Sequence, residues 1–202
     1  MKRYRAVLDV AELPTIVFGR RAITWWGTIA FMAIEGATMV IAMVSWLYLR
    51  KNQYQWPPPP TRLPDLLLPT INVAFLTISN IVALRLQKRA RVMDKEATKV
   101  LILVLSVVGV IAVGMRVFDF RELNTHWDSN AYSSAAWLAV GFHTSLLFLS
   151  MIENWVFTVL FWFGPVEGKH FPDVDDTCIY WYFLTLSWIP LYVLLYWGPR
   201  LL

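Results

Sequence analysis

The stretch from Ile23 to Tyr48 carries a single charged side chain, Glu35, close to its midpoint. A helix of about 20 apolar residues spans the hydrocarbon core of a bilayer, so this stretch is long enough to cross a membrane. A carboxylate at the centre of such a helix costs at least ~2.5–3.5 kcal/mol on insertion scales. A buried partner, a lipid head group, a water-filled cavity or a proton must offset that cost. Glu35 is therefore a candidate functional residue.

The composition is typical of a membrane protein. Of the 202 residues, 57% are hydrophobic and only 16% are charged, whereas charged residues make up about 25% of a soluble domain. Apolar runs predict five transmembrane helices at about 23–49, 66–86, 98–118, 132–163 and 178–198. The sequence thus predicts an all-α polytopic membrane protein, with an N-terminal cytoplasmic segment over 1–22 and a five-helix domain over 23–198.

The distribution of Lys and Arg predicts a cytoplasmic N-terminus and a periplasmic C-terminus. Twelve of these residues fall on the side of the N-terminus and six on the other side, and such an excess marks the cytoplasmic face. The smaller set is Arg50, Lys51, Arg62, Arg116, Arg121 and Arg200. Because the positive charge lies in loops that flank the membrane, we expect no nucleic-acid partner.

Few residues could carry redox or metal chemistry. The chain has one Cys, Cys178, and three His, of which His126 and His170 fall in predicted loops on opposite sides of the membrane. Haem and copper centres in membrane proteins are held mostly by His, so we expect no metal site, no cofactor and no catalytic residue in this chain.

His143 is the one His within a predicted span, and it lies near the depth of Glu35. We expect the two side chains to pair across helices. The pair could be structural, or it could belong to a lipid or proton site. Glu153 lies nearer the inner end of the fourth helix, where water can reach it. Gly109 and Gly114 in the third helix are predicted to be sites of close helix packing.

Five segments carry motifs in a fixed order along the chain: WWGTIAFMAIEGATMV, LPTINVAFLTISN, MRVFDF, DSNAYSS followed by GFH, and YWYFLTLSWIPLYVLLYW. Together they resemble the subunit III family of haem-copper oxidases, best known from cytochrome c oxidase. The resemblance covers about residues 8–198 and fits the short five-helix bacterial form of that family.

The resemblance assigns positions residue by residue. Glu35 occupies the place of the family's carbodiimide-reactive glutamate, and His143 falls on the first His of the GFHGxH pattern. These two residues are the candidates for a lipid-cleft or proton-related role. Further matches imply structural polar side chains, namely Asn72, Ser79, Asp119 and Tyr132.

The resemblance implies a non-catalytic accessory subunit of a proton-pumping terminal oxidase in the bacterial inner membrane. Such a subunit packs directly against subunit I, belongs to a complex with subunit II, binds phospholipid and supports proton uptake. Haem and copper are expected in the partner subunits, and cytochrome c is expected to interact only through the complex. In that sense the complex is the enzyme, and this chain holds no redox centre.

Three departures from the family pattern indicate a divergent branch: Leu146 replaces a His, and Tyr182 and Thr185 replace the His and Asp of the last helix. Two alternatives stay open. A related small subunit of a quinol oxidase or nitric oxide reductase complex would share the fold. A small proton-coupled transporter or assembly factor would use Glu35 and His143 differently, although the chain lacks the internal repeats common in transporters.

Overall fold

The computed structural model describes Pro14 and residues 16–201, which form a bundle of five long helices. The helices are α1 (Ile23–Lys51), α2 (Leu67–Arg91), α3 (Lys95–Arg121), α4 (Ala131–Phe163) and α5 (His170–Tyr192). A π-helical turn over Val193–Trp197 continues α5 into the short helix α6 (Gly198–Leu201). The described residues contain no strand, and five helices are long and apolar enough to cross a membrane, which confirms the predicted fold class.

The first four helices agree with the predicted spans to within three residues, except that α2 ends at Arg91 rather than at 86, and the last helix differs more. That helix begins at His170 rather than at 178, so the prediction was wrong there. The early turns contain Asp173, Asp175 and Asp176, whose charges made this segment look like a loop. Of these, Asp173 lies in the first turn of α5, where the helix dipole stabilises a carboxylate, so it favours this helix start. Most of the predicted N-terminal segment 1–22 lies outside the described residues.

Side-chain caps fix the start of two helices. The Asp94 carboxylate accepts a hydrogen bond from the Ala97 backbone N–H at 3.1 Å, and the Asn130 side chain accepts one from the Ser133 N–H at 3.0 Å. Such caps satisfy donors that the first helical turn leaves unpaired. Asp94 thereby supports the short connection between α2 and α3, and Asn130 sets the start of α4.

The last helix lies at the centre of the bundle. It contacts α1, α2 and α4, whereas α3 packs between α2 and α4, and α1 packs on α4 and α5. Only 11% of the most apolar 18-residue stretch of α1 is buried, against 50% for the last helix. One broad apolar face of α1 therefore has no partner within the described chain.

The bundle has two ends of different charge. One end contains the N-termini of α1, α3 and α5 and the C-termini of α2 and α4, and we call it the basic end. Arg85, Lys88, Arg89, Arg91 and Lys95 lie there. The other end, which includes Trp56 and Arg200, is called the opposite end. The assignment of the basic end to the cytoplasm remains a prediction.

A series of polar contacts joins α2 to α5 along their length. From the opposite end to the basic end, the pairs are Thr70 with Tyr192, Ser79 with Trp181, Asn80 with Thr185, Gln87 with Tyr182, and Arg91 with Asp175. Hydrogen bonds between membrane helices average about 0.6 kcal/mol each. Their distribution from Thr70 to Arg91 holds α2 in register with α5.

Gly109 and Gly114 offer a matched test of helix packing. A Cβ at Gly109 would lie 3.3 Å from Met151 Cγ of α4, whereas a Cβ at Gly114 would meet nothing within 4 Å. The close-packing prediction is thus confirmed for Gly109 and wrong for Gly114. We expect Gly109→Leu to lower the free energy of unfolding by about 1–3 kcal/mol, because it forces α3 from α4.

The matched control is Gly114→Leu, which should change stability by less than about 0.5 kcal/mol. Thermal unfolding of the purified full chain in detergent compares the two variants. Equal losses in both would show that α3 and α4 do not depend on close approach at Gly109.

Candidate functional site

Glu35 is buried between α1 and α5, with 4% of its surface exposed. The Tyr180 hydroxyl lies 2.8 Å from one oxygen of the Glu35 carboxylate and 3.0 Å from the other, and it donates its hydrogen to this carboxylate. The next residue, Gly36, lies beside the Phe183 ring, since a Cβ there would be in ordinary van der Waals contact with that ring at 3.6 Å. The carboxylate is therefore held by one hydroxyl within an aromatic environment.

The predicted pairing of Glu35 with His143 is wrong. His143 Nδ1 lies 2.9 Å from the Arg116 guanidinium, and its Nε2 lies 2.9 Å from the backbone oxygen of Leu184. The two residues occupy different interfaces, because Glu35 faces α5 from α1 while His143 contacts α3 and α5 from α4. Glu35 and His143 were predicted to pair because they lie at a similar depth in the bilayer, but that similarity does not bring their side chains into contact.

A cleft opens beside Tyr180 toward the basic end, between α1, α4 and α5. Its volume is about 450 Å³, and it is lined by Gly27, Thr28, Phe31, Glu153, Asp176, Thr177 and Tyr180. Tyr180 therefore lies between this cleft and the Glu35 carboxylate. We call this space the acidic cleft.

Two carboxylates of the acidic cleft have different surroundings. The Thr177 hydroxyl donates to Glu153 Oε1 at 2.9 Å. Asp176 is 5% exposed, and its Oδ2 has no hydrogen-bond partner among the described residues. Because Thr177 and Tyr180 lie about one turn apart on α5, hydroxyl and carboxyl groups line a path from the cleft to Glu35.

A second polar group surrounds Arg116 in the centre of the bundle. We name the Arg116 cluster as Asn72, Arg116, Asp119, His143 and Trp188. The Arg116 guanidinium lies 2.8 Å from Asp119 Oδ2, and its central carbon lies 3.7 Å from the centroid of the Trp188 ring. Asn72 donates to the same Asp119 oxygen. The cluster thereby joins α2, α3, α4 and α5.

The contacts of His143 fix its tautomer. An arginine can only donate hydrogen bonds, so Nδ1 of His143 must accept from Arg116. Nε2 then carries the hydrogen and donates to the Leu184 oxygen. His143 in this arrangement is neutral and has both ring nitrogens in use, which makes it a structural link between α4 and α5.

The cluster is fully buried, since Arg116 is 1% exposed and Asp119 and His143 are 0% exposed. A buried ion pair of this kind contributes little net stability by itself, but losing one partner leaves an uncompensated charge. The stacked Trp188 ring adds a cation–π contact. Loss of either Arg116 or Asp119 alone is therefore expected to destabilise the bundle.

The remaining predicted residues are also buried. Ser79 accepts a hydrogen bond from Trp181 Nε1 at 2.9 Å. Tyr132 packs against Trp56, with ring centroids 5.0 Å apart, and its hydroxyl has no partner among the described residues. Tyr132 thus contacts its neighbours mainly through its ring.

The positions that depart from the family pattern have interhelical roles here. Thr185 and Asn80 exchange hydrogen bonds at 2.8 and 3.0 Å, and Tyr182 donates to Gln87 at 3.2 Å. Leu146 is 6% exposed within the core. At positions 182 and 185 of the last helix, this chain therefore has side-chain contacts between α2 and α5.

Sequence reasoning missed Tyr180, Asp176 and Arg116. Arg116 was counted with the charges on the periplasmic side, although it lies within the predicted third span and three residues before Asp119. Side chains at this spacing are neighbours on a helix, and that signal could have indicated a buried ion pair. Tyr180 gave no comparable signal, because only the packing of α1 on α5 makes it the partner of Glu35.

No three His, Cys, Asp or Glu side chains in the described part of the chain lie close enough to hold a metal ion. The polar groups instead form the acidic cleft with Glu35 and the Arg116 cluster. These features, with five apolar helices, define a multi-pass helical membrane protein with buried polar contacts between its helices.

Comparison with known proteins finds a similarity to one subunit of a respiratory oxidase. The chain is 25% identical over 183 residues to cytochrome c oxidase subunit 3 of Synechocystis sp., and the match covers 88% of this chain and 77% of that protein. No protein-family model matches. The chain is thus similar to a cytochrome c oxidase subunit III, at low identity but over most of its length.

Proposed function

We propose that this chain is subunit III, a non-catalytic accessory subunit, of a proton-pumping haem-copper oxidase in an aerobic respiratory chain. The observation that carries the proposal is the similarity to a cytochrome c oxidase subunit 3 over 88% of the chain. In this proposal haem and copper belong to partner subunits, and cytochrome c meets the complex elsewhere. The complex lies in a bacterial inner membrane, with the basic end of this chain in the cytoplasm.

The exposed face of α1 supports a role within a larger assembly. Ile34, Ile41 and Val44 on this face are 67%, 65% and 57% exposed, respectively. In a membrane such a face contacts lipid or another subunit. We propose that this chain packs directly against subunit I and belongs to the same complex as subunit II.

The acidic cleft supports roles in lipid binding and proton uptake. In this proposal a phospholipid occupies the cleft, with its polar head near Glu153 and Asp176 and its acyl chain against Phe31. The hydroxyls of Thr177 and Tyr180 lie between these carboxylates and Glu35, so a proton entering from the basic end would meet groups able to exchange it. His143 lies in the Arg116 cluster, and we assign it to stability.

Copurification tests the proposed complex. The full chain, tagged and extracted from its native membrane in mild detergent, should carry with it a haem-containing catalytic subunit and a copper-binding subunit II. Absorbance spectra of reduced and oxidised samples detect the haem, and mass spectrometry identifies the subunits. Cells that express the untagged chain provide the control.

The composition of the purified particle separates the alternatives. A haem protein without a copper-binding subunit II would indicate a quinol oxidase or a nitric oxide reductase complex. A homomeric, haem-free particle that binds a solute would overturn the oxidase assignment and favour a transporter.

A further inference from the structure

A groove with one charged wall and one apolar wall lies between α2 and α3 at the basic end. Its volume is about 480 Å³. Arg85, Lys88 and Arg89 line it from α2, and Ala97, Val100 and Leu101 line it from α3. We call it the basic groove. It is separate from the acidic cleft, which lies between α1, α4 and α5.

Two of the three positive charges in the basic groove have no acidic partner. Arg89 lies 3.3 Å from Asp94, although both side chains are largely exposed. In the described part of the chain, no carboxylate lies within ion-pair distance of Arg85 or Lys88. Arg91 is paired with Asp175 on the side facing α5. The groove therefore presents unneutralised positive charge to its surroundings.

Neighbouring side chains place this groove at the level of the lipid head groups. Trp162 of α4 donates from its indole nitrogen to the Lys99 backbone oxygen at 3.2 Å, and the Lys99 amine lies 4.2 Å from the Trp162 ring centroid. Trp and Lys mark the boundary between water and hydrocarbon in membrane proteins. Arg85 lies about 9 Å inward from the last residue of α2, at 1.5 Å per residue.

Apolar side chains continue the groove toward the bilayer centre. Ile81 and Ile78 precede Arg85 by about one and two helical turns, and they are 50% and 63% exposed. Val104 follows Val100 by one turn on α3 and is 40% exposed. Residues at this spacing share one helix face, so the charged end of the groove opens onto an apolar track.

We propose that the basic groove binds an anionic phospholipid of the surrounding bilayer. Its phosphate lies between Arg85 and Lys88, and an acyl chain lies along Ile81 and Val104. The planar fork of arginine suits phosphate oxygens, and the apolar track favours a lipid over a free anion. This site is independent of the proposed oxidase function.

Lipid retention by the full chain tests the proposal. The chain is purified in detergent with an equimolar mixture of phosphatidylglycerol and phosphatidylcholine, and native mass spectrometry measures the ratio of the two lipids that stay bound. A basic side chain that contacts the head group of a bound anionic lipid contributes about fivefold to its binding. The variant Arg85→Gln/Lys88→Gln should therefore lower this ratio by at least about fivefold.

The matched control is Arg20→Gln/Lys95→Gln, which removes two charges from the same end but outside the groove and should leave the ratio unchanged. Val100→Trp fills the groove from its apolar wall without a charge change, and it should also lower phosphatidylglycerol retention. This second variant keeps the test open if the first fails to fold.

Three results would overturn the proposal: an unchanged ratio in either groove variant, an equal loss in the control, or full displacement of phosphatidylglycerol by inorganic phosphate. Loss of a copurifying polypeptide with unchanged lipid retention would also overturn it, because the groove would then be a protein interface.

Discussion

Replacing Asp119 with leucine should lower the free energy of unfolding by about 3–5 kcal/mol, the range for breaking a buried ion pair. Arg116 is 1% exposed, so its charge would remain in the bundle interior without the carboxylate that lies 2.8 Å away. Asn72 would also lose the oxygen to which it donates. Unfolding of the full chain, followed in mixed micelles with increasing denaturing detergent, measures the loss.

The double variant Arg116→Met/Asp119→Leu tests whether the loss of stability in Asp119→Leu comes from the unpaired Arg116 charge or from changed packing. Apolar groups of similar volume often replace a buried ion pair without loss of stability, so the double variant should be more stable than Asp119→Leu alone. Glu167→Gln breaks an exposed ion pair with Lys169 and serves as the control, with no measurable change expected. A double variant as unstable as the single one would show that the unpaired charge is not the cause.

Replacing Glu35 with glutamine should abolish labelling of α1 by dicyclohexylcarbodiimide while the protein still assembles. This apolar reagent reacts with carboxyl groups in apolar surroundings, and Glu35 is 4% exposed beside the aromatic rings of α5. Glutamine keeps the shape of the side chain and can accept the hydrogen bond from Tyr180. Peptide mass spectrometry of the labelled full chain locates the modified residue.

Two further variants sharpen the labelling experiment. Tyr180→Phe removes the hydroxyl that contacts both oxygens of Glu35, so the reagent should reach the carboxyl group faster. Glu153→Gln changes a carboxylate of the acidic cleft but leaves Glu35 intact, so labelling at Glu35 should persist. Labelling confined to Glu153 or Asp176 in the wild-type chain would contradict a reactive Glu35.

Much of the fold follows from local properties of the sequence. Each span is recognisable because its own residues must be apolar over about 20 positions to cross a bilayer. The location of Glu35 within the first span needs no knowledge of any other helix. The start of α5 was harder to predict, because three aspartates in its first two turns give this segment the low hydropathy that is typical of a loop.

The sequence by itself determined five apolar helices, the position of Glu35 within a membrane span and an ordered set of motifs. The tertiary structure decided which side chains meet, because each contact depends on the rotation and neighbours of helices far apart in the chain. The packing of α1 on α5 gives Glu35 the hydroxyl of Tyr180, and the packing of α3 on α4 gives His143 the guanidinium of Arg116. The depth of a residue in the membrane follows from its position along its own helix, whereas its contacts depend on how the other helices pack against that helix.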